Sequence, residues 1–208
     1  MDYIIIRKNI KNAYIQIKDG LVYIRVPKRM SEKDIDKLVK EREKWIKKHL
    51  EEQKRRDENS KQYIELLGKK YDINIINSNR DCIEIAEGKA NIYLNENTEE
   101  KKKKLIKNLY KKCALKQYTI TTQKMMEITG LAPDSWRIRD IHSAWGSCSS
   151  KRNITLSLNL IKKREELIEY VVLHELCHLK HMNHSKEFWE LVGKYMPNYK
   201  ECRRELKK

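Results

Sequence analysis

The pentapeptide His174-Glu175-Leu176-Cys177-His178 constrains the architecture of this chain more than any other feature. Two histidines four residues apart lie on one face of an α-helix, about one turn or ~6 Å from each other. At that separation two imidazoles can bind one metal ion, with nitrogen distances of about 2.0–2.1 Å. Glu175 lies at the flank of that face, where its carboxylate can reach a metal-bound water without ligating the metal. Zinc lowers the pKa of such a water to about 7, so a carboxylate suffices as general base.

The composition of the chain and the context of the pentapeptide argue against a chance match. With six histidines and 21 glutamates in 208 residues, about 0.02 matches to this pattern are expected at random. Four of the six histidines fall between positions 174 and 184. The flanking residues Val171, Val172, Leu173, Leu176 and Leu179 provide the apolar faces that a packed helix needs.

A catalytic zinc site needs a third protein ligand and an open coordination position. His184 is the preferred candidate, because residues 182–183 can break the helix and fold the chain back towards the metal. His181 continues the helical face, but lies about 4.5 Å further along the axis than the second histidine of the motif. Glu187 and Glu190, on the next predicted helix, remain alternatives.

The net charge of +16 bears on the partners of the protein. A field of that sign attracts phosphate groups, whether of nucleic acid or of an anionic membrane surface. No compact arginine cluster with interleaved aromatic residues is present, and a general preference for lysine explains the charge equally well. We therefore expect at most a weak association with nucleic acid through the basic surface. The expected substrate, on the strength of the metal motif, is a protein or peptide.

Cysteine usage and the apolar segments indicate the compartment. Five cysteines at irregular spacing, without a Cys-x-x-Cys pair, do not form the pattern of a secreted disulfide framework. The apolar start of the chain is too short for the core of a signal peptide. No apolar run approaches the ~20 residues that span a bilayer. We expect a cytoplasmic, reduced protein that does not enter a membrane; its oligomeric state stays open.

Hydrophobic periodicity predicts a β-rich first part with one helix. Strands are predicted over residues 3–6, 13–17 and 21–26, with a hairpin turn at Asp19-Gly20. Ser31, with Asp34 as a capping-box-like partner, begins a helix that ends in the polar stretch 51–61, a candidate boundary. A second group of strands is predicted over residues 63–67, 71–76, 82–85 and 91–94.

The second part of the chain is predicted to be richer in helix. A long helix covers about residues 98–128 and ends at Gly130 and Pro133. Three short strands and two helices follow, over residues 136–141, 144–148, 153–158, 164–180 and 185–195. The lysine-rich faces of the long helix are interpreted as solvated, and Cys177 as a packed core thiol.

The C-terminal motifs resemble those of the YgjP-like metallopeptidase family, relatives of the SprT-like and Wss-type proteases. The resemblance rests on the order and spacing of five segments, residues 145–149 (WGSCS), 154–159 (ITLSLN), 170–172 (YVV), 174–178 (HELCH) and 184–189 (HSKEFW). It implies His174, His178 and His184 as zinc ligands and Glu175 as the catalytic acid and base. It also implies an antiparallel sheet beside the active-site helix.

Zinc peptidases of this kind commonly bind the substrate backbone along an edge strand. The resemblance therefore makes Trp145, Gly146, Ser147 and Cys148 candidates for a substrate-facing segment. In the alternative interpretation, Trp145 belongs to the core and Gly146 permits close packing against the helix. An oxyanion stabiliser is also expected, but the sequence does not rank His142, Tyr195, Tyr199 or the nearby arginines.

We thus predict an α+β protein with an N-terminal β-rich lobe, residues 1–97, and a C-terminal zincin-like core, residues 98–208. The expected activity is hydrolysis of peptide bonds by a zinc-activated water, with Glu175 as general base. Two alternatives remain open. The same site could hydrolyse the phosphoanhydride of a nucleotide, or the protein could be a DNA-associated protease that acts on nucleoprotein.

Overall fold

The computed structural model describes residues 3–18, 20–60 and 63–207, so the predicted turn residue Asp19 lies outside the described residues. The chain divides into two compact units, residues 1–62 and 63–208. That division lies one residue beyond the polar stretch 51–61. The division predicted at 97/98 falls inside the second unit.

The first unit is a three-stranded sheet with one long helix. Its elements are β1 (Tyr3–Lys8), β2 (Tyr14–Lys18), β3 (Leu21–Pro27) and α1 (Glu32–Ser60). The central strand β3 runs parallel to β1 and antiparallel to β2. Alternate residues of β3 are buried together with two isoleucines of the helix, namely Val22, Ile24, Val26, Ile35 and Ile46. This alternation explains why the strands could be predicted from their period of two.

Helix α1 begins as predicted and ends later than predicted. The Ser31 hydroxyl accepts a hydrogen bond from the Asp34 backbone N–H at 3.2 Å and donates one to the Asp34 carboxylate at 2.6 Å. The helix was predicted to dissolve in the polar stretch 51–61, but α1 continues through almost all of that stretch, to Ser60. A polar composition does not end a helix when it consists of strong helix formers such as Glu, Gln, Lys and Arg.

The second unit opens with a four-stranded sheet, followed by the long helix α2. The strands β4 (Tyr63–Leu66), β5 (Lys69–Asn77), β6 (Cys82–Ala86) and β7 (Lys89–Leu94) lie in the order β4-β5-β7-β6. Strands β5 and β7 are parallel, and the outer pairs are antiparallel. Helix α2 (Glu99–Thr129) has Thr98 as its N-cap and Gly130, in the left-handed conformation, as its C-cap. Both ends of the predicted helix are confirmed to within one residue.

A second, smaller sheet lies next in the chain and supports the candidate site. Strands β8 (Ser135–Arg139), β9 (Gly146–Cys148) and β10 (Asn153–Ser157) lie in the order β8-β10-β9. Strand β9 pairs antiparallel with β10, as the family resemblance implied. The sheet as a whole is mixed rather than antiparallel, because β8 lies on the other side of β10 and runs parallel to it.

Three helices complete the second unit: α3 (Glu165–Cys177), α4 (Lys186–Tyr195) and α5 (Tyr199–Leu206). Helix α3 lies in the core, where Leu173, Leu176 and Cys177 are fully buried, as predicted for the Cys177 thiol. It ends at Cys177 rather than at the predicted residue 180. Helix α5 and a 3₁₀ helix over Leu158–Lys162 were not predicted.

The observed elements confirm the α+β class. A buried hydrogen bond from the Tyr118 hydroxyl of α2 to the Ser157 carbonyl, 2.9 Å long, joins the long helix to the end of β10. Among the described residues, no helix combines the length and the apolar character that crossing a membrane requires.

Candidate metal centre

Helix α3 presents the two histidines of the motif on one face. Residues 174–177 are helical and His178 caps the helix, with its backbone N–H 3.3 Å from the His174 carbonyl. The chain then leaves the helix and turns back, so that His184 Nε2 lies 3.0 Å from His174 Nε2. The potential ligand atoms of His174, His178 and His184 all lie within 4.8 Å of one another. Three imidazoles thus meet at one point on the surface of the second unit.

The structure brings only one of the candidate third ligands into this group. Neither Glu187 nor Glu190 belongs to it, among the residues that the structure describes. His181 contributes its backbone, since its carbonyl oxygen lies 3.0 Å from His178 Nδ1. A hydrogen bond from that Nδ1–H leaves Nε2 of His178 with its lone pair, which is the arrangement that metal-binding histidines use.

Aromatic side chains of α4 hold the three imidazole rings in place. Phe188 is fully buried, and its ring centroid lies 4.5–4.9 Å from those of all three histidines. Trp189 stacks on His184 with 5.4 Å between the centroids and 17° between the planes. These contacts pack the first turn of α4 against the three histidines.

The protonation states of the histidines suit a metal ligand. Burial, with smaller contributions from His178, His184 and Arg203, lowers the pKa of His174 to about 3. Burial also lowers the pKa of His178. Both rings are therefore neutral at physiological pH, the form in which imidazole binds a metal. Three imidazoles form the donor set of a catalytic zinc site, so these residues fit the ion.

Glu175 lies beside the three histidines, with only 5% of its surface exposed. Burial raises the pKa of its carboxyl group to about 8. The backbone of β9 approaches this side chain closely. A Cβ atom at Gly146 would lie 2.7 Å from Glu175 Oε1 and 2.9 Å from Cγ. Only glycine leaves this space, which bears out the packing interpretation of Gly146.

The segment 145–148 follows the edge of the small sheet next to Glu175. Strand β9 is the last strand in the order β8-β10-β9, so one of its edges has no strand partner among the described residues. The Ser147 side chain is exposed, whereas Cys148 is half-buried. Burial raises the pKa of the Cys148 thiol, and the nearby Glu175 carboxylate raises it further. Trp145 packs against the core cluster. The role of this segment in binding substrate stays a prediction.

A cavity of about 480 Å³ opens over Glu175 and the histidines. It is lined by residues of β9, α3, α4 and α5, namely Trp145, Gly146, Tyr170, Val171, His174, Glu175, His184, Trp189, Arg203, Leu206 and Lys207. The contribution of α5 was missed from the sequence. Apolar residues at 199, 202 and 206 follow a helical spacing and were the signal available for it.

The structure separates the candidates for an oxyanion stabiliser. The Tyr195 hydroxyl donates to the Thr129 carbonyl at 3.4 Å, and His142 lies 3.5 Å from Asp140. Neither residue lines the cavity, and neither does Tyr199. Among the arginines, Arg203 is the one that lines it.

Comparison with known proteins identifies the class to which this fold and site belong. The chain matches the family model described as YgjP-like, metallopeptidase domain, over residues 11–208. It therefore belongs to the YgjP-like metallopeptidase family, which confirms the resemblance seen in the sequence. A comparison with curated proteins gave no match.

Two crystal structures of metallopeptidase zymogens are similar to part of the chain. That of Pyrococcus abyssi abylysin is 28% identical, covering 43% of this chain and 90% of its own, with a TM-score of 0.40. That of Methanocaldococcus jannaschii jannalysin is 21% identical, covering 43% of this chain and 87% of its own, with a TM-score of 0.39.

Proposed function

We propose that the protein is a zinc-dependent peptidase in which His174, His178 and His184 hold the ion and Glu175 is the general base. One observation carries the proposal. The potential ligand atoms of the three histidines lie within 4.8 Å of one another, beside a buried carboxyl group. Membership of a metallopeptidase family supports the class of reaction. A bound zinc ion would supply Lewis acidity, which activates water and polarises a carbonyl group.

Glu175 is suited to move a proton in both directions. A group whose pKa lies near the working pH is the most effective general acid or base, and burial raises the pKa of Glu175 to about 8. Its carboxylate accepts a proton from a water molecule in the cavity and then donates it to the leaving amine. The backbone at Gly146 lies close to this side chain and leaves no room for a Cβ atom between them.

The edge of β9 is suited to bind the substrate backbone. Its inner edge is hydrogen-bonded to β10, from Gly146 paired with Leu156 to Cys148 paired with Ile154. The strand lies close to Glu175 at Gly146, and its outer edge can pair with an extended peptide, as in strand addition. Such pairing would place a peptide bond next to the carboxylate regardless of the substrate sequence.

The catalytic role of Glu175 is tested by Glu175→Gln in the zinc-loaded protein. We expect hydrolysis of casein and of internally quenched peptides to fall by at least about 100-fold, because a general base contributes roughly 10²–10⁴. Zinc content should be unchanged, since Glu175 is not a ligand. Glu165→Gln is the matched control, because Glu165 lies in the exposed first turn of the same helix.

Two outcomes would contradict the proposal. Full peptidase activity in Glu175→Gln would remove this residue from the reaction. Turnover of nucleoside triphosphates without any cleavage of peptides, lost in Glu175→Gln, would show that the site acts on phosphoanhydrides instead.

A further inference from the structure

We propose that helix α5 forms a subsite for carboxylate groups of the substrate, with Arg203 as the residue that determines the specificity. The inference rests on the proposed peptidase function and deepens it, because it names acidic peptides as the preferred substrate class. It starts from the cavity over Glu175, whose α5 wall carries two cations, Arg203 and Lys207.

Helix α5 is a firm support for these cations. Cys202 is fully buried in the core. The Arg164 guanidinium binds the Glu205 carboxylate through two nitrogens, at 2.9 and 3.3 Å. The Trp145 indole N–H donates to the Leu206 carbonyl at 3.1 Å, which ties the end of α5 to the segment that leads into β9. A cation on this helix therefore has a defined position relative to the catalytic carboxyl group.

The Arg203 side chain is presented for binding rather than used within the fold. Its guanidinium carbon lies 4.5 Å from the centre of the Trp189 ring, which orients the planar group. It forms no ion pair with any carboxylate whose side chain the structure describes, whereas Glu205 of the same helix pairs with Arg164. An exposed arginine next to an aromatic ring can bind a carboxylate through two parallel hydrogen bonds.

Further cations continue from Arg203 along the surface. A second cavity of about 420 Å³ shares Trp189 and Arg203 with the first and is also lined by Lys186 and Lys200. Its single carboxylate, Glu190, lies 3.5 Å from Lys186. A peptide that passes from the catalytic cavity over Arg203 therefore meets cations on both sides, which favours acidic side chains.

The surroundings of Arg203 favour a carboxylate over the phosphates of a nucleic acid. Sequence-independent binding of single strands combines cations with aromatic faces on which bases stack. Trp189, the aromatic residue shared by both cavities, is already stacked with His184 and with Tyr199. The carboxylate could belong to an Asp or Glu side chain, or to the C-terminus of the substrate.

The test uses a quenched peptide substrate in which each position is replaced in turn by Glu and by Gln. Cleavage is measured with the zinc-loaded wild type, and binding of the same peptides by fluorescence anisotropy with the zinc-loaded Glu175→Gln protein. Arg203→Gln is compared with Arg204→Gln, an exposed cation of the same helix that lines neither cavity. Peptides with a free or an amidated C-terminus separate the two sources of the carboxylate.

We expect a preference of about tenfold for Glu over Gln at one or more positions, or for the free over the amidated C-terminus. In Arg203→Gln this ratio should fall to about one, whereas in Arg204→Gln it should persist. Arg203→Lys should restore part of the preference, and added salt should weaken it. The preference is taken as the ratio of Glu to Gln peptides within each protein, so any general loss of cleavage in Arg203→Gln cancels from the comparison.

Three results would overturn the inference. The first is equal binding and cleavage of all Glu and Gln pairs and of both C-termini. The second is a preference that Arg203→Gln leaves intact. The third is Arg203-dependent binding of oligothymidylate in the absence of a Glu preference. The binding measurement needs no hydrolysis, so an Arg203-dependent preference without cleavage would support the subsite while refuting the peptidase proposal.

Discussion

Replacing Gly146 with alanine would place a methyl group against the side chain of Glu175. The three atoms nearest to the new Cβ all belong to that side chain, with Oε1 at 2.7 Å, Cγ at 2.9 Å and Cδ at 3.0 Å. Ordinary contacts begin at 3.4 Å, so the carboxylate has to move by about 0.7 Å. Glu175 is only 5% exposed, which leaves little room for this movement.

The size of the effect follows from this displacement. Inserting a methyl group into a packed site costs about 1–3 kcal/mol of folding stability. Displacing a catalytic group by about 1 Å can lower the rate by roughly 100-fold. We therefore expect Gly146→Ala to lower kcat/KM by one to two orders of magnitude. Zinc content should be unchanged, because the three atoms nearest to the new Cβ all belong to Glu175, which is not a ligand.

A double-mutant cycle isolates the cause of the effect. The free energy of unfolding is measured by urea denaturation for Gly146→Ala, for Glu175→Ala and for the double variant. Because the three nearest contacts all involve Glu175, Gly146→Ala should cost much less stability when Glu175 is already alanine. An equal cost in both backgrounds, or full activity in Gly146→Ala, would refute the close approach of β9 to the catalytic carboxyl group.

Two further predictions concern the stability of the site. Trp145→Phe removes the hydrogen bond to the Leu206 carbonyl and should lower the free energy of unfolding by about 1 kcal/mol. Urea denaturation measures this loss, and an unchanged midpoint would contradict the prediction. Burial raises the pKa of Glu175 from 4.5 to about 8 and lowers that of His174 from 6.5 to about 3. Above pH 6.5 the folded chain keeps the Glu175 proton that the unfolded chain has lost, whereas at His174 the unfolded chain still holds part of a proton that the folded chain lacks. The two effects oppose each other, and the metal-free protein should lose a net amount of about 1 kcal/mol of stability between pH 6.5 and 8. Urea midpoints in EDTA should show this loss, and Glu175→Gln should abolish it; a wild type with flat midpoints would contradict the prediction.

The parts of the molecule that were predicted from the sequence depend on local patterns. The spacing of His174 and His178 on an apolar helix, the start of the long helix near Thr98 and the helix-ending Gly130 each depend on signals within a few residues. His184 could be selected because the chain has to turn within the five residues after the second histidine. Such local signals survive in one sequence without knowledge of the fold.

The parts that were missed depend on contacts between distant residues. Strand β8 pairs in parallel with β10 because it occupies the edge of β10 that β9 leaves free. The alternation of apolar and polar residues does not reveal which edge a strand occupies. Helix α5 has eight residues, many of them charged, and its position over the site rests on the bonds of Trp145 and Arg164 to it. Arg203 therefore could not be distinguished from the other arginines.

Metal content tests the central claim most directly. Zinc is measured by elemental analysis in the purified wild type, in alanine variants of His174, His178 and His184, and in His181→Ala. We predict one zinc ion per chain in the wild type, loss of nearly all zinc in the first three variants, and retention in His181→Ala, because His181 contacts the site through its backbone carbonyl. Stoichiometric zinc in His184→Ala, or none in the wild type supplied with zinc, would contradict the account.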